Sequence, residues 1–101
     1  MSTVLAYVPD LMDRSKVAAA CPRARFVGAP SELVGSVAPD AVVIVDLSRP
    51  GVVDILSELQ PARVVGFVSH LDRATVAAAK AAGCEAMARS EFFRRIGELT
   101  A

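Results

Sequence analysis

One carboxylate follows the most apolar stretch of this chain. Four β-branched residues at 42–45 lead directly into Asp46, and a turn-like segment at 47–51 with the sequence Leu-Ser-Arg-Pro-Gly comes next. An apolar run of this length is typical of a strand buried on both faces of a parallel sheet. Asp46 then lies at the carboxyl end of that strand, where it can bind a cation, cap the next helix or accept hydrogen bonds from its own loop.

Polar side chains also follow the other strand-like segments of the chain. Because the carboxyl ends of parallel strands meet at one edge of a sheet, this edge is the place where polar chemistry can converge. The sequence therefore predicts one candidate site, lined by Asp10, Asp46, Ser48, Ser69, His70, Arg89 and Ser90.

Several of these residues have a structural interpretation beside the functional one. Asp10 is either the N-cap of a helix or a metal ligand together with Asp46. Arg89 and Ser90 either bind an anion at the start of the last helix, or Arg89 pairs with Glu91 or Asp72. His70 is either a solvated loop residue or a group that senses pH or binds an anion.

Strand-like and helix-like segments alternate along the whole chain. Strands are expected at residues 4–8, 24–28, 41–46, 63–68 and 84–88. This alternation predicts one α/β domain over residues 1–101, with a five-stranded parallel sheet and helices on both faces.

Helix boundaries can also be predicted from capping residues. Asp10 is expected to cap a helix at 11–20, and Asp72 an alanine-rich helix that ends at Gly83. Pro50 is expected at the first position of the third helix, and Ser90 at the N-cap of the last one. Core positions are expected to include Met12, Met87, Phe92, Ile96 and Leu99, and the second helix, at about 31–37, is expected to be short.

Composition excludes several classes of function. Eleven basic residues balance eleven acidic ones, so nothing favours nucleic acid as a partner. No apolar run approaches the length of a membrane span, and the start has no basic segment of a signal peptide. Cys21 and Cys84 lack metal-ligand spacing and are expected to be buried thiols. The sequence therefore predicts a cytoplasmic protein without a cofactor.

Four motifs carry a resemblance to a known family. The pattern apolar-apolar-Asp-Leu-x-x-Pro-Gly at 44–51 follows Pro-Asp-apolar at 39–43, Ser69 ends the next strand, and Ala-x-x-x-Ala-Gly-x-acidic occupies 78–85. Together they resemble the receiver domains of response regulators. The resemblance implies a flavodoxin-like sheet of order 2-1-3-4-5, with Asp46 as the phosphoacceptor beside Mg²⁺. It also implies that the fourth helix, fifth strand and fifth helix form the face that binds partners.

The chain departs from the receiver pattern at the site itself. Receivers end their first strand with two acidic residues, whereas Pro9 and Asp10 stand here. Ser90 occupies the position of the phosphate-binding lysine, and Arg89, one residue earlier, is expected to point to the other side of the strand. Phosphoryl transfer needs both the metal and the cation, so the sequence predicts a degenerate receiver that acts through protein–protein interaction in signalling.

Three alternatives remain open from the sequence. Asp46 could be a working phosphoacceptor, or the edge could be a small anion-binding module that uses Ser48, Arg49, Ser69, His70 and Arg89. Homodimerisation is expected through residues 72–99, with Phe93 left near the surface because adjacent Phe92 takes the core position. In the alternative arrangement Phe93 lies under the chain end at 100–101, and the protein is a monomer.

Overall fold

Five parallel strands form one sheet in the computed structural model, which describes residues 3–60, 62–69 and 72–101. The strands are β1 (Val4–Tyr7), β2 (Arg25–Phe26), β3 (Val42–Asp46), β4 (Arg63–Val68) and β5 (Cys84–Ala88). Their order is β2-β1-β3-β4-β5. This confirms the predicted α/β fold and its flavodoxin-like strand order, although β2 is shorter than the segment predicted at 24–28.

The helices lie between the strands in the order that the sequence predicts. They are α1 (Leu11–Ala20), α2 (Ser31–Val34), α3 (Val52–Ile55), α4 (Arg73–Ala81) and α5 (Arg89–Leu99), and a 3₁₀ turn at Leu56–Leu59 continues α3. Of these, α2 and α3 have only four residues each. The short second helix is therefore confirmed. The third is shorter and less regular than one would expect from Val52, Ile55, Leu56 and Leu59, which have the i, i+3, i+4, i+7 spacing of one continuous helical stripe.

Two helix starts differ from the prediction. Pro50 is not the first residue of α3, because Gly51 has a left-handed φ of 82° and the helix begins only at Val52. A glycine can adopt this conformation without the steric cost that a side chain brings. Ser90 is not an N-cap, because α5 begins at Arg89 directly after β5 and leaves Ala88 in the cap position without a capping side chain.

The apolar side chains form one layer on each face of the sheet. Val43 and Val45 point to the face that α3 and α4 cover, while Val42 and Ile44 point to the face that α1 and α5 cover. All five residues of β3 are buried. Because successive side chains of a strand point to opposite faces, burial of all five requires cover on both faces of the sheet. The prediction of a strand covered on both faces is thus confirmed.

The two methionines predicted to lie in the core, Met12 and Met87, differ in burial. Met87 is buried in β5, but Met12 is 73% exposed, as is its neighbour Leu11 at 77%. The helix α1 buries only Asp13 and Val17, which lie four residues apart on one face. Met12 lies in the first turn beside that face, so the prediction of a core position for it is wrong.

Both thiols are buried, as predicted. Burial raises the pKa of the Cys84 thiol to about 12, so it stays protonated in the folded chain. Within the ranges that the structure describes, no helix is long and apolar enough to cross a membrane.

Candidate functional site

Asp46 is buried at the carboxyl end of β3 and both of its oxygens have partners. The residue is 3% exposed. Its Oδ1 accepts a hydrogen bond of 3.0 Å from the amide of Ser48, and its Oδ2 lies 3.4 Å from Nε of Arg49. The carboxylate therefore both orders its own loop, as one interpretation of the sequence expects, and forms an ion pair with the side chain three residues later.

The loop after β3 is tied to the end of β4 by the two serines that the sequence singles out. The hydroxyl oxygen of Ser48 accepts a hydrogen bond of 3.2 Å from the amide of Ser69. Both serines are exposed. The structure thus brings Asp46, Ser48 and Ser69 together at one edge, as the topology predicts, while His70 lies outside the described residues.

Asp10 is the N-cap of α1. Its Oδ1 accepts hydrogen bonds of 3.0 Å from the amides of Met12 and Asp13. The pKa of the Asp10 carboxyl lies below its usual value mainly because the carboxylate accepts the hydrogen bond from the amide of Asp13. The positive charges of Arg49 and Arg89 lower this pKa further. The capping interpretation of Asp10 is therefore confirmed.

Arg89 reaches across the edge to α1. Its guanidinium contacts the buried carboxylate of Asp13 through two nitrogens, and its Nε is 3.3 Å from Oδ2 of that residue. The hydrogen bond to Asp13 raises the pKa of Arg89, and the negative charges of Asp10 and Asp46 contribute in the same direction. The site therefore holds a cation where the sequence suggested that none would reach.

Two predictions about Arg89 are corrected by this contact. Strand alternation does not turn Arg89 away from the site, because the residue belongs to the first turn of α5 and not to β5. Its ion-pair partner is Asp13 and not one of the two candidates chosen from nearby sequence, Glu91 and Asp72. Glu91 instead pairs with Arg95 at 2.9 Å.

Sequence reasoning missed Asp13 altogether. The residue is 4% exposed although it is charged. A signal was present, because Asp13 and the apolar Val17 are four residues apart and therefore share one face of a helix. A charged residue on an inward face needs a partner from elsewhere in the chain, but the spacing does not say which one.

The carboxylates of this edge do not fit a magnesium ion. Magnesium requires several oxygen ligands in octahedral arrangement. The cap oxygen of Asp10 is engaged by two amides, and Asp46 and Asp13 each contact a guanidinium group. No group of three or more histidine, cysteine, aspartate or glutamate side chains in residues 3–60, 62–69 and 72–101 is arranged to hold a metal.

A groove lies beside this edge, along the outer side of β5. Its volume is about 640 Å³. Four consecutive strand residues at 85–88 line it, so the groove follows the edge of a strand that is paired only with β4. The remaining lining comes from the end of β4, from α4 and from the first turns of α5: Val68, Ser69, Val76, Lys80, Arg89, Ser90, Glu91 and Arg95.

Most charges in the groove already have partners on the same chain. Glu85 contacts Arg63 at 2.6 and 2.9 Å, and this hydrogen bond lowers the pKa of the Glu85 carboxyl. Arg95 contacts Glu91, and also Glu98 at 2.6 Å. Lys80 differs, since its ammonium group makes no ion pair with any residue that the structure describes.

Phe93 does not line this groove. Phe92 is fully buried, as predicted, and Phe93 is half-buried with its ring 5.5 Å from that of Phe67 and 4.9 Å from that of Phe92. The ammonium of Lys16 and the guanidinium of Arg89 lie 5.3 and 5.1 Å from its centre. Phe93 therefore faces α1, and an interface at the groove would be centred on other residues.

Comparison of the chain with protein-family models, with curated proteins and with solved structures gave no match. The receiver resemblance therefore depends on the motifs in the sequence, and the strand order of the sheet is consistent with it.

Proposed function

We propose that this chain is a receiver-like regulatory module that acts by contacting another protein chain through the α4–β5–α5 face. The observation that carries the proposal is the groove of about 640 Å³ along the outer edge of β5. An edge strand offers unpaired amide and carbonyl groups to a partner. The half-buried apolar side chains of Val76 and Ala86 add surface that a partner can cover.

A second copy of the chain is the first partner to test. On the α4–β5–α5 face the ammonium of Lys80 has no ion-pair partner among the described residues, and the carboxylates of Glu85 and Glu91, each paired with an arginine of the same chain, line the same groove. A face with both signs of charge can be complementary to itself about a two-fold axis, the commonest symmetry of homo-oligomers. We therefore still expect a dimer through residues 72–99, but with the outer edge of β5 at its centre and not Phe93.

Light scattering over a range of protein concentrations tests this dimer. We expect the wild-type mass to rise from one chain to two, and Ala86→Arg, which puts a long charged side chain into the groove, to stay monomeric. Ala19→Arg is the matched control, because Ala19 is an exposed alanine of α1 that does not line the groove. A monomer at every concentration in all three proteins would contradict self-association.

The edge around Asp46 supports the degenerate form of a receiver over a working one. Transfer of a phosphoryl group to Asp46 requires a free carboxylate oxygen, a metal and a cation beside the developing charge. Here both oxygens have partners within three residues, and the cation Arg89 pairs with Asp13. We expect no stoichiometric adduct by mass spectrometry after incubation with acetyl phosphate and Mg²⁺. An adduct that is lost in Asp46→Asn would establish the alternative function.

One observation favours a second candidate, a small anion-binding module. The groove brings together Ser69, Arg89 and Ser90 beside Lys80, at the start of α5 where no side chain caps the helix. Free amides at a helix start and nearby cations attract anions. A saturable rise in melting temperature with sulfate or phosphate, reduced in Lys80→Gln but unchanged in Lys16→Gln, would favour this candidate over the protein-binding one.

A further inference from the structure

The start of α5 forms one wall of the groove along β5. The first three residues of the helix, Arg89, Ser90 and Glu91, line the groove, and Arg95 lines it one turn further along. The chain passes from β5 into α5 without a loop, so Ala88 occupies the cap position, where its methyl group cannot accept a hydrogen bond. A local capping motif therefore does not fix the position of this wall.

A contact with α1 holds the first turn of α5. The guanidinium of Arg89 contacts both carboxylate oxygens of Asp13, with Nε 3.3 Å from Oδ2 and Nη2 on Oδ1. A forked contact fixes the orientation of the two groups as well as their distance, because two N–H bonds point at two oxygens at once. The ion pair of Glu91, by comparison, stays within α5 and joins it to Arg95. Arg89 therefore ties the start of the helix to another element.

Asp13 is firmly held at its end of the contact. The residue is 4% exposed, and Val17, four residues later on the same face of α1, is fully buried. The amide of Asp13 also donates to the cap oxygen of Asp10, which orders the first turn of α1. Asp13 does not line the groove. Any effect that it has on the groove is therefore transmitted by Arg89 and the position of α5.

We infer that Asp13 is a positioning residue for the α4–β5–α5 face, and that through Arg89 it holds the first turn of α5 in the place where that turn forms the wall of the groove. A buried ion pair adds little net stability compared with apolar side chains of similar shape, and in some proteins its value is to select one geometry. The inference rests on the proposed function for its consequence, binding at the groove. The position of the wall itself can be measured without a partner.

Asp13→Leu separates positioning from stability. Leucine branches at Cγ as aspartate does, and it places an apolar group at a buried position, so we expect the urea midpoint to stay equal or to rise. Arg89 then loses the carboxylate that it contacts, and we expect the first turn of α5 to change its orientation. Residual dipolar couplings of amides 89–95 measure this orientation relative to β5 and do not respond to the loss of a nearby charge alone.

Arg23→Gln is the matched control. The guanidinium of Arg23 donates to the carbonyl of Thr100 at 2.6 Å, at the opposite end of α5. Residues 96–101 do not line the groove. The control therefore removes a contact that holds the same helix at a place away from the groove, and we expect the couplings of amides 89–95 to remain as in the wild type.

Light scattering over a range of concentrations adds the effect on binding. We expect the dimer to dissociate about tenfold more readily in Asp13→Leu, as for substitutions that act on a binding surface without touching it. Arg23→Gln should associate as the wild type does. If Asp13→Leu does not fold, Asp13→Asn gives the same comparison, because it keeps the shape and one acceptor oxygen but removes the charge.

Three results would overturn the inference. The first is unchanged couplings of amides 89–95 in the folded Asp13 variant, and the second is a change of equal size in Arg23→Gln. The third is a wild-type dimer that dissociates no more readily in the Asp13 variant. If the couplings change as expected but the wild type is a monomer at every concentration, the proposed self-association fails and the positioning role of Asp13 stands.

Discussion

The carboxyl edge of the sheet and the neighbouring groove differ in how their polar groups are satisfied. At the edge, Asp13 and Asp46 are buried and each contacts an arginine of the same chain. In the groove, the ammonium of Lys80 has no ion-pair partner among the described residues, and the outer edge of β5 is unpaired. The contrast shows that one flavodoxin-like sheet can satisfy its buried charges within the chain at one place and leave a cation and a strand edge open to solvent at another.

The largest effect should come from α5, which contributes to both regions. Phe92 is fully buried and stacks on Phe67 at 4.9 Å, so Phe92→Ala should lower the free energy of unfolding by about 3–5 kcal/mol. Phe93→Ala should cost about 1–2 kcal/mol, because its half-buried ring leaves less area to lose. Urea denaturation measures both values. Equal losses would mean that Phe93 contributes as much to the core as Phe92 does.

A glycine beneath the edge tests how tightly that region is packed. A Cβ on Gly66 would lie 2.6 Å from Cγ of the buried Leu47, so Gly66→Ala should destabilise the fold by about 1–3 kcal/mol. The matched control is Gly97 in α5, where a Cβ would meet nothing within 4 Å. Gly97→Ala should stabilise the helix by up to about 1 kcal/mol. If Gly66→Ala leaves the free energy of unfolding unchanged in thermal or urea denaturation, the edge can rearrange around the added methyl group.

The smallest effect concerns the cap of α1 and depends on pH. The pKa of Asp10 is lower in the folded chain than its ordinary value of 3.8, so its charge stabilises the folded state at pH values above 3.8. That contribution is lost as the pH falls through the lower, folded value. We expect Asp10→Ala to be less stable than the wild type at pH 7 and the difference to shrink below pH 3.8.

Salt provides the control for this pH dependence. Asp10 is exposed, so added salt should weaken the effect of Arg49 and Arg89 on it. Asp10→Asn keeps a capping oxygen without the charge, and it should therefore lose less stability than Asp10→Ala at pH 7. A difference between wild type and Asp10→Ala that stays the same down to pH 3 would contradict the role assigned to the Asp10 charge.

Local patterns were sufficient for much of the fold. The apolar run before Asp46, the alternation of strands with helices and the capping positions of Asp10 and Asp72 all depend on residues close together in the chain. Such features follow from the geometry of a few consecutive residues. The start of α5 was predicted incorrectly because Ser90 is a good capping residue, whereas the chain passes from β5 into the helix without a loop.

The candidate site was predictable only in part. Parallel topology brings Asp46, Ser48 and Ser69 to one edge, and that much follows from strand ends alone. The partner of Arg89 did not follow, because the nearest acidic residues in the sequence are not its nearest neighbours in space. The orientation of Phe93 toward α1 also depends on how α5 packs on the sheet.

The sequence by itself determined the class of fold, the strand at 42–46 and the edge at which polar residues meet, because hydrophobic period and turn residues act locally. Only the tertiary structure decided how the charges at that edge are balanced. Asp13 and Arg89 are 76 residues apart, and a contact between them exists only after α1 and α5 have packed side by side on one face of the sheet. Ion pairing acts over a few ångströms in space without regard to distance along the chain, and local sequence patterns do not encode it.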